Sequence, residues 1–272
     1  MADVNGAGVN GAGLNARVMQ QVLRWLVVVM LLVAWEAVSR SGLVTRFTLP
    51  AFSLVLQRIW ADLLTGDLLQ YMGLTLYRAL TGFAIATVLG VMIGLSIARS
   101  RAAHWFFDPI ISIGFPMPKI AFVPVVVLWL GFHDTAKITM IVIDSIFPVI
   151  TATLAGIKGV EHQLVWSARN MGAGEHEILY QVLLPAAAPQ VLTGIQVALP
   201  ISMIVAIIME MMTGGVGLGG AMVTASRQAD SPGVFAGLVE IAVVGLCLIK
   251  TMEWGRRRLL SWHQESRQPT TV

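Results

Sequence analysis

Lys119, Asp144 and Glu210 stand inside long apolar runs of this chain. If those runs cross a bilayer, a lone charge at that depth costs at least about 2.5–3.5 kcal/mol, so each must face a partner or a wet path. Lys119 and Asp144 fall at similar depth on neighbouring runs. Pairing them is one hypothesis, either as a structural salt bridge or with one member on a substrate path. Glu210 lies just before Thr213 and the glycine-rich stretch 214–220. It either ties that stretch down through backbone hydrogen bonds or touches a solute. Other chemistry is sparse. The sequence contains no G-x-x-x-x-G-K-[ST] phosphate loop, no H-E-x-x-H and no paired cysteines. His104, His133, His162, His176 and His263 are scattered through expected loops and the tail. No nucleophile–base arrangement is present, so the chain does not read as an enzyme.

The elements that must position these residues follow from composition. Only 12% of the residues are charged against 56% hydrophobic, with a mean hydropathy of +0.77. A soluble domain carries roughly 25% charged residues, so the bilayer is the natural solvent here. The net charge of +3 then reflects cations gathered on one membrane face rather than a nucleic-acid partner. One cysteine, Cys247, leaves no disulfide framework within the chain and reads as a small core or lipid-facing residue.

Six runs are long enough to span: about 22–38, 74–98, 109–131, 136–157, 189–213 and 234–254. All are expected to be helices, because an isolated span has no other way to satisfy its backbone in lipid. The expected architecture is an all-α polytopic bundle. With the N-terminus inside, eleven Lys and Arg fall on the cytoplasmic side, six outside (Arg78 and Lys137 among them), and Lys119 in a span. Both termini are therefore expected to be cytoplasmic. The domain organisation is a disordered tail over 1–20, a first span and an outer helix over 21–70, a membrane domain over 71–257, and a second tail over 258–272.

Two runs carry small residues every fourth position: Gly82, Ala86, Gly90, Gly94 and Ala98, and then Gly194, Ala198, Ser202 and Ala206, with Glu210 the next step. Such stripes let helix backbones approach closely in lipid. The third run instead holds Pro109, Pro116, Pro118 and Pro124 with Gly114. Prolines free carbonyls, and irregular backbone survives at membrane depth only where it is buried in protein or lines a cavity. This run is the pointer to a translocation path, with Pro148 and Pro200 as weaker companions. Between the first two spans, Leu56, Ile59, Trp60, Leu63 and Leu64 fall at helical spacing. That helix either lies on the outer membrane surface or packs on the bundle.

The longest loop on the cytoplasmic side runs over 158–188. Good helix formers over 161–170, Gly172 and Gly174, then acidic residues at 175 and 177 predict two short helices around a glycine turn, the second stopped by Pro185. Its apolar residues, among them Leu164, Ile178 and Leu179, need covering by the bundle or by a partner protein.

This loop carries a resemblance. Trp166-Ser167-Ala168-Arg169-Asn170-Met171-Gly172, with Ala173 and Gly174 after it and Leu184-Pro185 closing it, resembles the E-A-A-x-x-x-G…I-x-L-P signature of ABC-importer permeases. Ala168, Gly172, Leu184 and Pro185 match. Trp166 stands where the family has Glu, Ser167 where it has Ala, and Val182 sits at the Ile position. Leu49-Pro50, Thr75-Leu76-Tyr77-Arg78, Leu128-Trp129-Leu130-Gly131 and 194–199 resemble the nitrate, sulfonate and taurine branch. The resemblance implies the type I ABC importer permease fold in a bacterial inner membrane. It implies a coupling helix at Ser167, Ala168, Arg169, Gly172, Ala173, Gly174, Leu184 and Pro185. Pro116, Pro118, Lys119, Pro124, Asp144 and Glu210 are the candidates for the path. The implied partners are separate ABC ATPase subunits holding ATP and Mg, an extracytoplasmic binding protein, and a second permease copy. This chain would bind no cofactor or metal itself, and its cargo would be a small oxyanion such as nitrate, a sulfonate or taurine. The alternative is a self-sufficient secondary transporter or channel.

Overall fold

A computed structural model describes the backbone over residues 8–260; the side chains of 8–18, 20–22 and 24 are outside it. Every element among the described residues is helical. In chain order they are α1 (Gly8–Arg40), α2 (Phe52–Thr65), α3 (Asp67–Arg99), α4 (Arg101–Gly114), α5 (Val123–Leu130), α6 (Asp134–Lys158), α7 (His162–Asn170), α8 (Glu175–Glu177), α9 (Leu184–Thr213), α10 (Leu218–Arg227) and α11 (Ser231–Leu259).

The centre is a three-helix unit in which α3 and α9 both pack on α6 and on each other. The small-residue stripes make this possible. Gly82 of α3 sits against Ile141, Gly90 against Val149 and Gly94 against Thr153, while Gly194 of α9 lies against Ala152 and the Pro148 carbonyl. A Cβ at Gly90 would fall 2.8 Å from Val149 Cβ, so only glycine allows this approach. Ala79, Met140, Ile141, Met203, Ala206 and Met209 fill the space between the stripes. Around the unit, α10 packs on α9 and α11, and α2 packs on α11.

Four stretches among the described residues are apolar and long enough to cross a membrane: α3, α6, the run Glu175–Arg227 and α11. The pair of helices over Arg101–Gly114 and Lys119–Leu130 passes the same test together, but is bent by 94°. This corrects the single third span expected over 109–131. Pro116 and Pro118 fall in the connection, and Pro124 occupies the first turn of α5, where its missing N–H costs nothing. α1 covers the expected first span with side chains such as Trp25 and Leu31 exposed.

Two further expectations change. α1 begins at Gly8, so residues 8–20 are helical rather than a disordered tail; extending a helix from an existing end needs no new nucleus. Residues 1–7 and 261–272 of the two expected tails lie outside the described residues. Pro185 does not stop a helix either. The chain passes from α8 through a π-helical stretch, Ile178–Leu183, straight into α9, with Pro185 in its first turn. A proline clashes with the carbonyl four residues back, and the wider turn just before it makes room. α2 is helical as expected. It buries Val55 and leaves Leu56, Trp60 and Leu64 exposed.

Candidate functional site

The loop between α6 and α9 is built as a bracket. α7 ends where Gly172 turns the backbone at φ +86°, a conformation that costs an L-residue about 1–2 kcal/mol. The Ala173 N–H donates to the Ala168 carbonyl at 3.0 Å across that turn. The Glu177 carboxylate accepts from the Gly174 N–H at 2.9 Å, and Arg169 Nη2 bridges to Glu175 Oε1 at 2.8 Å. Ala168, Ile178 and Leu179 are buried, and α7 packs on the Ile178–Leu183 stretch that leads into α9. Of its apolar side chains the bundle leaves Leu164, Trp166, Met171 and Tyr180 exposed, Met171 at 79%. Ser167, Arg169, Gly172, Gly174 and Pro185 are exposed as well, with Ala173 and Leu184 half-buried. The presented face is therefore an apolar patch edged by the Arg169–Glu175 ion pair, carried on the ends of α6 and α9.

The second feature is the elbow between α4 and α5. Lys119 Nζ stands 2.9 Å from Asp144 Oδ1 of α6, donates to the Phe115 carbonyl at 3.2 Å, and lies 4.8 Å from the centre of the Phe147 ring. The two charges that the sequence sets at matching depth are thus paired. Asp144 is partly exposed, and Pro116, Pro118 and Pro124 are exposed along the bend.

Glu210 belongs to neither feature. It is fully buried at the end of the bundle opposite the α7 bracket. Arg78 Nη1 donates to Glu210 Oε1 at 2.6 Å, and Thr75 Oγ1 lies 2.9–3.0 Å from both carboxylate oxygens. The Gly219 N–H donates to Oε2 at 3.0 Å. Arg78 also donates to the Val216 carbonyl at 2.7 Å and to Asp134 at 2.8 Å, while Lys137 Nζ donates to the Gly214 carbonyl at 3.3 Å. Five elements therefore meet there: α3, α6, α9, α10 and the glycine loop. Gly217 is glycine because a Cβ would collide with the Glu210 carboxylate. Of the two roles open to Glu210, the geometry is that of a tie on the loop. Arg78 and Lys137 are 4% and 3% exposed, so they are not the loop cations that the outside count took them for. Thr75, Arg78, Asp134 and Lys137 are the members that sequence reasoning missed. The available signal was the i, i+3 spacing of Thr75 and Arg78, which puts both on one face of α3. Among the described residues no group of three or more His, Cys, Asp or Glu is placed to hold a metal ion.

Comparison with known proteins fits this architecture. Residues 86–260 match the family model of the binding-protein-dependent transport system inner membrane component. The chain is 31% identical over 228 residues to a Bacillus subtilis (strain 168) permease named for aliphatic sulfonates transport, SsuC, covering 84% of this chain and 83% of that one. It is 29% identical over 240 residues to the taurine transport system permease protein TauC of Escherichia coli (strain K12), covering 86% and 87%. Among solved structures it is similar to a chain of the inward-facing MetNI methionine ABC transporter, with a TM-score of 0.61 at 17% identity over 72% of this chain and 95% of that one. That likeness is one of fold. This chain belongs to the family of binding-protein-dependent transport system inner membrane components and has the fold of the type I ABC importer permeases.

Proposed function

We propose that this chain is the pathway-forming subunit of an importer for a small sulfonate of the taurine type, driven by a separate ATPase through the α7 bracket. The observation that carries the coupling role is the bracket itself. Its anchor residues are buried, yet Leu164, Trp166 and Met171 are left uncovered on the ends of two core helices. The sulfonate reading rests on the relatives named for aliphatic sulfonates and taurine, and on one cation, Lys119, at the elbow. On this reading Ser167, Ala168, Arg169, Gly172, Ala173, Gly174, Leu184 and Pro185 form the coupling site. The elbow around Pro116, Pro118, Lys119 and Pro124, with Asp144, faces the path. Glu210 secures the loop beside it. ATP and Mg belong to the ATPase partner, and no cofactor is assigned to this chain. The excess of Lys and Arg supports a cytoplasmic bracket and cytoplasmic termini. A second copy of the chain completes the pore and an extracytoplasmic binding protein delivers the solute.

The test is reconstitution of the full chain with its ATPase and binding protein in proteoliposomes. ATP-dependent uptake of labelled taurine is expected, with Trp166→Asp abolishing copurification of the ATPase while the chain still folds. A chain that copurifies with no ATPase, and moves solute with ATP depleted, overturns the coupling reading. ATP-dependent uptake of other solutes with none of taurine or an alkanesulfonate overturns the solute reading alone.

A further inference from the structure

A cavity of about 370 Å³ opens between α2, α3, α10 and α11, at the end of the bundle that holds Glu210. Its charged lining is Arg58, Asp62, Asp67 and Glu240, with Tyr71 and Gln228 beside them. One cation thus faces three carboxylates, and that cation is already committed. Arg58 Nε lies 3.0 Å from both Asp62 oxygens, and its Nη1 is bound to Asp230 Oδ2. Asp67 accepts only from the neutral Thr65 hydroxyl, at 2.9 Å, and takes part in no salt bridge among the described residues. Glu240 is 8% exposed, lines the cavity, and its Oε1 has no hydrogen-bond partner. A buried carboxylate oxygen left without a donor is costly. One wall, Gly215–Val216, is the loop that Arg78 holds through the Val216 carbonyl.

We infer that this cavity is a binding site for an ammonium or guanidinium group, with Glu240 and Asp67 as its acceptors. An N–H cation supplies what the cavity lacks: donors for Glu240 Oε1 and positive charge for the carboxylates that Arg58 does not satisfy. A bare metal ion fits less well, since no three ligating side chains converge among the described residues. At about 30 Å³ per water the space holds a four-carbon amine and several waters. The group could come from a small solute or from a Lys or Arg side chain of a protein docked at that end. Both offer the same chemistry.

The experiment uses the full chain assembled with its ATPase in lipid nanodiscs and n-butylammonium as the probe, with tetramethylammonium as a cation of equal charge that has no N–H. Saturable stabilisation against thermal unfolding by n-butylammonium, at least tenfold tighter than by tetramethylammonium, is expected. Glu240→Gln, which keeps the volume, and Asp67→Asn, which lies at the rim, are each expected to weaken it at least tenfold. Equal responses to the two cations, no saturable response, or undiminished binding in both variants overturns the inference. The cation comparison needs no variant, so a variant that fails to fold leaves it decisive. The source is then read by adding the binding protein. Competition between n-butylammonium and its docking assigns the group to a partner side chain, and independent binding of both assigns it to a free solute. Failure of sulfonate uptake leaves this result untouched, because no step here depends on the cargo.

Discussion

Replacing Arg78 by Met removes the only cation among the described residues bonded to Glu210, a carboxylate that has no contact with solvent. The guanidinium makes three contacts, to Glu210, to Asp134 and to the Val216 carbonyl. After the substitution Glu210 retains two neutral donors, the Thr75 hydroxyl and the Gly219 N–H. Breaking a buried pair from one side costs about 3–5 kcal/mol, because the charge left behind is uncompensated. Glu210→Gln alone should cost less, about 2 kcal/mol, since Arg78 keeps the partly exposed Asp134. With both substitutions the residual charge is gone, so the double variant should recover at least about 2 kcal/mol relative to the sum of the singles. Arg78→Lys should fall between, because a single ammonium cannot fork to three acceptors on three elements. Reversible unfolding in mixed micelles, read by the fluorescence of the eight tryptophans, measures all four species. Polar contacts in membrane bundles average only about 0.6 kcal/mol, because the unfolded chain in lipid finds other partners. Additivity of the two singles within about 0.5 kcal/mol would refute the reasoning and place this network in that ordinary class.

Gly90→Ala should destabilise by about 1–3 kcal/mol, because the new methyl meets Val149 Cβ at 2.8 Å and α3 must move off α6; thermal unfolding reads this directly. Gly172→Ala meets nothing within 4 Å, so its cost should be the backbone strain alone, about 1–2 kcal/mol, with Gly172→Asn distinctly milder in the same assay. Lys119→Ala and Asp144→Ala should be non-additive in uptake and in unfolding, and simple addition of the two losses would dismiss the pair as an energetic unit.

What the residues announced in advance was whatever depends on near neighbours. The i+4 stripes from Gly82 and Gly194 identify the faces on which α3 and α9 meet α6, because a glycine row has few other uses in lipid. Gly172 marks the turn in the bracket because only that residue type takes φ +86° without strain. The prolines of the third run say where helix hydrogen bonds fail, but not through what angle the chain leaves, and the 94° elbow was out of reach. Pro185 misleads for a related reason. It forbids an ideal α turn, and the chain answers with a π turn instead of stopping. Arg78 is the instructive failure. Counting cations by span assumes that a long side chain near a helix end reaches water, whereas its partner Glu210 is 132 residues away, beyond any local spacing rule.

The two ends of α9 are built for different mechanical tasks. At the bracket end the chain enters through Ile178–Leu183, a π stretch, where the hydrogen-bond register already departs from α and can shift at low cost. At the far end Glu210 locks α9 to α3 through Arg78, and to the first turn of α10 through the Gly219 N–H. Between them lies a helix of 30 residues, roughly 45 Å at 1.5 Å per residue, seated on α6 through Gly194 with no room to slide. A push on the bracket is therefore not absorbed by sliding within the α3–α6–α9 unit, and must turn the unit as a body. The elbow of α4 and α5 lacks that attachment. Its α5 limb packs on α6, its α4 limb meets α3, and its one charged tie among the described residues is Lys119 to Asp144. On the proposed coupling, relative motion would concentrate at the elbow, where Lys119 stands against Asp144. The proposed movement and the proposed solute path would then fall in the same place.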